Sequence, residues 1–498
     1  MNRQISRLAI VALVLLAALI VATTYWQSWA APSLAAKQDN AIQRVAQFRI
    51  KRGKIYASNG LLLAANKAVK SGGETLYLRR YLTHGLASQT IGYSTQGRSR
   101  AGIERQENAY LTASNANLGT IWDKLVDTAK GTTITGNNLV LNLHVNLQKI
   151  AETDLQGKCG AVVALNPKTG QIYAMASSPG YDPNKIESNT GYASILKSPS
   201  ACPGSASALY NRATQGLYPP GSTFKTVTAA AALDDGVYTP NSTFDDKGYC
   251  TEYGKQVSNA LNPEGSAEAY GEVNMVQAYE HSINAVFCDI GMKLGAKKVI
   301  DEAKKFGFYS QPPIELPSDT VAPSGEYAAN HTLLTNTGLM DPGRLAFGQD
   351  KLIATPLQMA LVAAAVANNG TIMVPHLVNK VTAPNGGTVE KFKPQVWKHA
   401  MKPSTAAALN TMMQAVVTGG TGTAAQIPGV KVAGKTGTAE TGIPHVYDAW
   451  FLFFAPADNP VIAGAVVIEH SDNGFGGSVS APIAKQLMQA ILQHASKH

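Results

Sequence analysis

Cysteine is scarce in this chain: Cys159, Cys202, Cys250 and Cys288 are the only four in 498 residues, and they stand far apart. No Cys-x-x-Cys pair occurs, which argues against a zinc site. Basic residues nowhere interleave with aromatics in a run, and no groove-reading motif is present. The net charge of +9 therefore does not read as nucleic-acid binding. A membrane face or an acidic polymer suits that charge better. No internal repeat or low-complexity tract appears. Ten histidines are present, His281 among them, yet no Gly-x-Ser-x-Gly elbow accompanies any serine, which disfavours a Ser-His-Asp hydrolase. Hydrophobic residues make up 45% and charged ones 15%; both are ordinary for a globular chain long enough for two or three domains.

Arg3 and Arg7 precede an uncharged apolar run, Leu8 to Ala22, and Tyr25, Trp26 and Trp29 lie beyond it. Cations on one side and aromatics on the other give a single span with its N-terminus in the cytoplasm. The strictly apolar run is shorter than the roughly 20 residues of a full span, so the aromatic edge completes it. A cleavable signal peptide is the alternative, because Ser33-Leu34-Ala35 loosely resembles a cleavage site. Either way the rest of the chain lies outside the cytoplasm. There thiols pair, four cysteines allow three connectivities, and at least one disulfide is expected; buried unpaired cysteines are the alternative.

Residues 31–150 read as a separate N-terminal domain. Asp39 to Arg52 resembles a helix or stalk leaving the membrane, and short strands are expected at Phe48–Tyr56 and Thr75–Leu82. Leu139 to Leu147 alternates apolar and polar, as a half-buried strand does. From Gly160, two apolar strands flank Asn166-Pro167-Lys168-Thr169-Gly170, a hairpin turn. Helices are expected at Ser222–Leu233, Met275–Leu294 and Thr355–Asn368. Strands come next at Lys431–Lys435, Ala449–Phe454 and Val461–Glu469, then an amphipathic helix, Ala481–Ala495. Two strands early and three late imply an α+β domain whose sheet closes around its own termini.

Three short strings carry the chemistry. Ser222 and Lys225 lie three apart on one helix face, so the lysine can take the serine's proton. A serine at a helix start is also a common N-cap. As a base Lys225 must be neutral, and burial together with a second cation, Lys435, would depress its pKa. Ser282-Ile283-Asn284 offers a hydroxyl to relay a proton and a carboxamide to hold an amide. Lys435-Thr436-Gly437-Thr438 reads as a strand whose lysine points into the pocket, with Gly437 admitting a close approach. Read from Gly429 to Thr436, the same stretch matches G-x-x-x-x-G-K-[ST]. That motif must open a helix, and Gly437 to Gly442 make a poor helix start. Asp182, Asp245, Asp246 and Glu280 read as structural or rim carboxylates.

With these residues in hand, the chain resembles the class B penicillin-binding proteins, membrane-anchored peptidoglycan D,D-transpeptidases, and is most like their short, single-pass actinobacterial division type. Arg52-Gly53-Lys54-Ile55 with Asn59-Gly60 resembles the first box of that family's N-terminal domain, although Ala57 and Ser58 depart from its usual acidic-basic pair. Gly92-Tyr93 and Gly102-Ile103-Glu104 resemble the next. Tyr218 to Lys225, Gly348-Gln349 with Thr355-Pro356-Leu357, and Trp450-Phe451 with Ala455-Pro456 are similar to transpeptidase landmarks.

The resemblance implies an anchor at 1–30, a non-catalytic dimerisation or pedestal domain at 31–150, and a transpeptidase domain at 151–498. That last domain would carry a five-stranded antiparallel sheet flanked by helices, as in serine β-lactamases. Ser222 would attack the D-Ala-D-Ala carbonyl of a stem peptide, with Lys225 as base. The N–H groups of Ser222 and Thr438 would form the oxyanion hole, and Ser282 and Asn284 would shuttle the proton and hold the amide. Lys435, Thr436 and Thr438 would bind the terminal carboxylate, with Gly437 between them. No cofactor or metal is implied. β-Lactams would acylate Ser222 and stay, since no Glu-x-x-Leu-Asn string is present. A SEDS-type glycosyltransferase is the implied partner. The alternatives are a D,D-carboxypeptidase or β-lactamase, with water as acceptor, and a β-lactam-binding sensor or scaffold.

Overall fold

The computed structural model describes residues 2–25, 47–114, 133–197, 206–260 and 267–495. Most of the expected stalk, the cleavage-like site near Ser33, Trp26, Trp29 and Cys202 lie outside them. Asn2–Thr24 is one helix. It is long and apolar enough to cross a membrane.

Five strands make the central sheet: β1 (Cys159–Leu165), β2 (Ile172–Ser178), β3 (Ala433–Glu440), β4 (Val446–Ala455) and β5 (Ile462–Asp472). Their order is β3-β4-β5-β1-β2, and every pairing is antiparallel. The early hairpin thus docks on the late strands, closing the sheet as expected. Side chains alternate across β4: Trp450, Leu452 and Phe454 join one core, Phe451 and Phe453 the other. The wholly buried helix Pro356–Ala367 packs on the first face, and the terminal helix Ala481–Ala495 on the second. Thr355 caps the former, its hydroxyl accepting from Gln358 N.

Several expected elements differ. The expected strand Phe48–Tyr56 is a strand only at Ile55–Tyr56. The sequence Met275–Leu294 is two helices, Met275–Glu280 and Asn284–Leu294. The expected strand at Lys431–Lys435 starts at Ala433 and runs to Glu440, through the whole Lys-Thr-Gly-Thr string. Next along the chain comes β4 rather than a helix, so the phosphate-loop match has no structural counterpart. The expected strand Leu139–Leu147 spans only Asn138–Leu141, and Val145 opens a helix.

A second sheet has six strands in the order Thr388–Lys391, Val378–Thr382, Asn138–Leu141, Ile55–Tyr56, Leu62–Ser71, Glu74–Tyr81. A hairpin from late in the chain therefore completes it. Beside it the two N-terminal boxes meet. Arg52 Nε donates to Glu104 Oε2 at 2.6 Å, and Arg79 Nε to Glu104 Oε1 at 2.6 Å. Burial pushes the Glu104 pKa up, but Arg79 and Arg52 outweigh it and hold it below the ordinary value. Cys250 and Cys288 form a disulfide. Cys159 is also disulfide-bonded, its partner lying outside the described residues, so the expectation of at least one bridge holds.

Candidate active site

Ser222 does not sit in the α-helix itself. Gly221–Phe224 is a 3-10 turn, and the α-helix begins at Lys225 and ends at Asp234. Positions i and i+3 eclipse in a 3-10 turn, which keeps serine and lysine on one side. The turn is fixed residue by residue. Tyr218 exchanges two backbone hydrogen bonds with Ala354, at 3.1 and 2.8 Å. The Trp450 indole N–H donates to Pro219 O at 2.9 Å. Thr223 Oγ1 donates to Pro220 O at 2.6 Å, and Gly221 N to Gly348 O at 3.0 Å. Gly348 must be glycine, because a Cβ there would stand 2.1 Å from Gly221 O.

The second string lies in the helix break. Ser282 N donates to Tyr279 O, and Ile283 N to Ala278 O. This is the Schellman pattern, with Ser282 at φ 60° where glycine is usual. A left-handed serine costs roughly 1–2 kcal/mol. Such strain gathers at functional sites, where the surroundings enforce it. The helix that follows this turn is braced by the hairpin Tyr249–Ser258 and the residue after it. Cys250 of the hairpin is bonded to Cys288, Asn259 Oδ1 accepts from Ala285 N at 2.8 Å, and Ser258 O accepts from Asn284 Nδ2 at 3.4 Å.

The third string is the sheet's edge strand, so alternate N–H and C=O groups of β3 face away from β4. A Cβ on Gly221 would come 3.2 Å from Thr438 O, which places Thr438 against the serine turn. Lys435 reaches inward from one face of the strand. Thr436 and Thr438 occupy the other face, where Thr436 Oγ1 meets Thr421 Oγ1 at 2.5 Å and Gly476 N donates to Thr438 Oγ1 at 3.4 Å.

The lysines decide the chemistry. Both are fully buried. Lys225 Nζ donates to Ser282 O at 2.6 Å and to Asn284 Oδ1 at 2.7 Å, and lies 3.4 Å from Ser282 Oγ. Lys435 Nζ lies 2.8 Å from Ser282 Oγ and donates to Thr436 O at 3.0 Å. Burial, and then the neighbouring Lys435, push the Lys225 pKa well below the ordinary lysine value. Burial alone pushes Lys435 down to about 7. A neutral Lys225 has two N–H groups, which Ser282 O and Asn284 Oδ1 take up. Its lone pair is left for a hydroxyl.

Ser222 is half-buried, and its hydroxyl makes no hydrogen bond among the described residues, Lys225 included. Catalytic contacts of this kind tighten only once substrate is bound. All eight singled-out residues thus sit on the three converging elements. Of the four rim carboxylates, Asp246 is buried and accepts from Asn259 Nδ2, and Asp182 caps a short turn at Asn184 N. Sequence reasoning missed the positioning residues Trp450, Gly348 and Thr421. Trp450 and Gly348 stood out only as landmarks, and Thr421 gave no signal of its own.

A serine on a turn, a desolvated lysine three residues on, and a second lysine on an edge strand define an acyl-serine enzyme that works without imidazole. Residues 160–489 match the penicillin binding protein transpeptidase domain, and residues 52–139 the penicillin binding protein A dimerisation domain. The chain belongs to the penicillin-binding protein transpeptidase family. It is 33% identical to a peptidoglycan D,D-transpeptidase, PbpA, of Mycolicibacterium smegmatis, over 100% of both chains. The PbpA of Mycobacterium tuberculosis is 32% identical, over 99% of each. The ceftriaxone acyl-enzyme structure of M. tuberculosis penicillin-binding protein A superposes with a TM-score of 0.79 at 30% identity, covering 90% of this chain and 100% of that one.

Proposed function

We propose that this chain is a peptidoglycan D,D-transpeptidase acting through a Ser222 acyl-enzyme, and that β-lactams inactivate it by the same route. The carrying observation is the convergence of two desolvated lysines on Ser282 Oγ beside a half-exposed serine. Neutral Lys225 accepts the Ser222 proton as Oγ bonds to the carbonyl carbon of the penultimate D-Ala. The developing oxyanion is held by the N–H groups of Ser222 and Thr438. Ser222 N–H has no other partner among the described residues, which suits that role. The proton passes through Ser282 to the departing nitrogen, the C–N bond breaks, and D-Ala leaves. An amine of a neighbouring stem then attacks the ester carbonyl; its proton passes by way of Lys225 to Ser222 Oγ as the ester C–O bond breaks, leaving the serine a hydroxyl and the lysine neutral again. Asn284 holds the substrate amide. Lys435, Thr436 and Thr438 receive the terminal carboxylate, with Gly437 keeping the strand close.

The apolar helix Asn2–Thr24 serves as a single-pass anchor in the cell membrane, with its N-terminus cytoplasmic and everything after residue 30 outside. Residues 31–150 form the non-catalytic domain and 151–498 the transpeptidase domain. The former offers its surface to a SEDS-type glycosyltransferase. Relatives named as peptidoglycan D,D-transpeptidases, and neighbours solved as β-lactam acyl-enzymes, support the catalytic reading. Exposure to a fluorescent penicillin, followed by intact-mass spectrometry, tests it. One adduct should form on the wild type and none on Ser222→Ala. Persistent labelling of that variant overturns the assignment.

A further inference from the structure

Two buried amines lie within 3.4 Å of the same hydroxyl, and the proposed chemistry needs one charged and the other neutral. Hydrogen bonding treats them alike, since each has two oxygen neighbours within 3.0 Å. No carboxylate acts on either lysine among the described residues. Glu280, close by in sequence, lies against Gly419 and Gly420, and His281 stacks on Tyr270. Among the described residues, the titratable groups facing the pair, from the serine turn, the helix break, Asn284–Leu294 and β3, are therefore the lysines themselves and Tyr279.

Tyr279 is fully buried in the last turn before the helix break. Lys435 Nζ stands 5.4 Å from the centre of its ring, within reach of a cation–π contact. The Tyr279 hydroxyl meets Thr226 Oγ1 at 2.8 Å, one residue after Lys225, which fixes the ring between the two lysine-bearing elements. Lys225 has ring neighbours of its own, Phe287 at 5.4 Å and Phe347 at 6.0 Å, but its pKa is pushed down by burial and by Lys435 as well, whereas that of Lys435 is pushed down by burial alone.

We infer that Tyr279 is a positioning residue for the acyl transfer: its ring face stabilises the ammonium form of Lys435. With Lys435 charged, Coulomb repulsion across Ser282 keeps Lys225 free of a proton and ready to act as base. The idea rests on the acyl-serine reading above and adds an electrostatic role that no hydrogen bond supplies.

The test uses the full-length protein and the second-order rate of acylation by a fluorescent penicillin, measured from pH 5 to 10. Tyr279→Phe keeps a ring and removes the hydroxyl. A trifluorinated phenylalanine at the same position keeps the ring's shape but drains its π density, so folding is preserved. The rate should rise as Lys225 loses its proton and fall as Lys435 loses its own. The fluorinated variant should show that falling limb about half a pH unit lower than Tyr279→Phe does. A limb at the same pH in both variants overturns the inference, even if the overall rate drops, because a structural role alone would lower the rate without moving the limb. Failure of the wild type to acylate would instead sink the functional reading.

Discussion

Gly437 offers the sharpest test of how closely the edge strand must approach the nucleophile. A Cβ there would meet Pro220 O at 2.8 Å, Thr223 Cγ2 at 2.8 Å and Trp450 Cβ at 3.1 Å. Ordinary contact begins at 3.4 Å. Gly437→Ala must therefore part the strand from the serine turn by about 0.6 Å, since the oxygen is backbone and the turn is pinned by five hydrogen bonds. A misplacement of about 1 Å costs an enzyme roughly 100-fold, so we expect acylation to slow by roughly 10- to 50-fold. Overpacking should lower stability by about 1–3 kcal/mol. Stopped-flow acylation by penicillin, beside a urea melt, separates the two effects. Gly442→Ala is the control: it lies just past the same strand at φ 81°, with nothing within 4 Å of the added carbon. It should lose stability through backbone strain, roughly 1–2 kcal/mol, and acylate at the normal rate. Equal, near-normal rates for both variants would refute the close-approach argument.

Buried charge and the disulfide staple give three further expected outcomes. With Lys435 at about 7 when folded and 10.5 when free, the unfolded chain holds the extra proton between those values, so stability rises with pH across them. Lys435→Met should therefore abolish acylation yet stabilise the protein, most at or below pH 7, by up to about 5 kcal/mol, and not at all above about pH 10.5; a gain confined to alkaline pH would contradict this. Glu104→Gln strands Arg52 and Arg79 without their shared carboxylate, and thermal melts should show a loss of about 3–5 kcal/mol, with the acylation rate of the folded protein unchanged. Cys288→Ser opens a bridge spanning 38 residues. It should cost about 3–4 kcal/mol by the loop-entropy argument, and an unmoved urea midpoint would count against it.

The sequence was most readable where a local rule governs. Turn residues Asn166 to Gly170 announced the early hairpin, and the three strings named eight residues that the fold carries on three converging elements. It was least readable where distant contacts override local preference. Met275 to Leu294 carries unbroken helical patterning, and nothing local tells that Ser282 adopts a conformation suited to glycine. The hairpin beneath, bridged from Cys250, braces the helix that follows that turn. Strand β3 resisted in a similar way: Val430 to Val432 alternates as a strand should, whereas Gly434 and Gly437 look like breakers. They lie mid-strand because Phe451 and Pro220 leave no room for side chains. Pairing of Val378–Thr382 with Asn138–Leu141 joins segments more than 200 positions apart, beyond the range of any periodicity.

That last pairing makes the amino-terminal half hard to treat as a detachable module. Its sheet opens at Ile55 and is finished only by Lys391. Just ahead of the returning hairpin, His376 N donates to Gly170 O at 2.9 Å, and its own carbonyl accepts from Ile172 N at 3.0 Å. The returning strand is thereby sewn to the turn between β1 and β2. A graft exchanging residues 47–141 for those of another protein would inherit a sheet missing two of its six strands. A pull on the six-stranded sheet would reach the catalytic sheet directly through these two backbone hydrogen bonds.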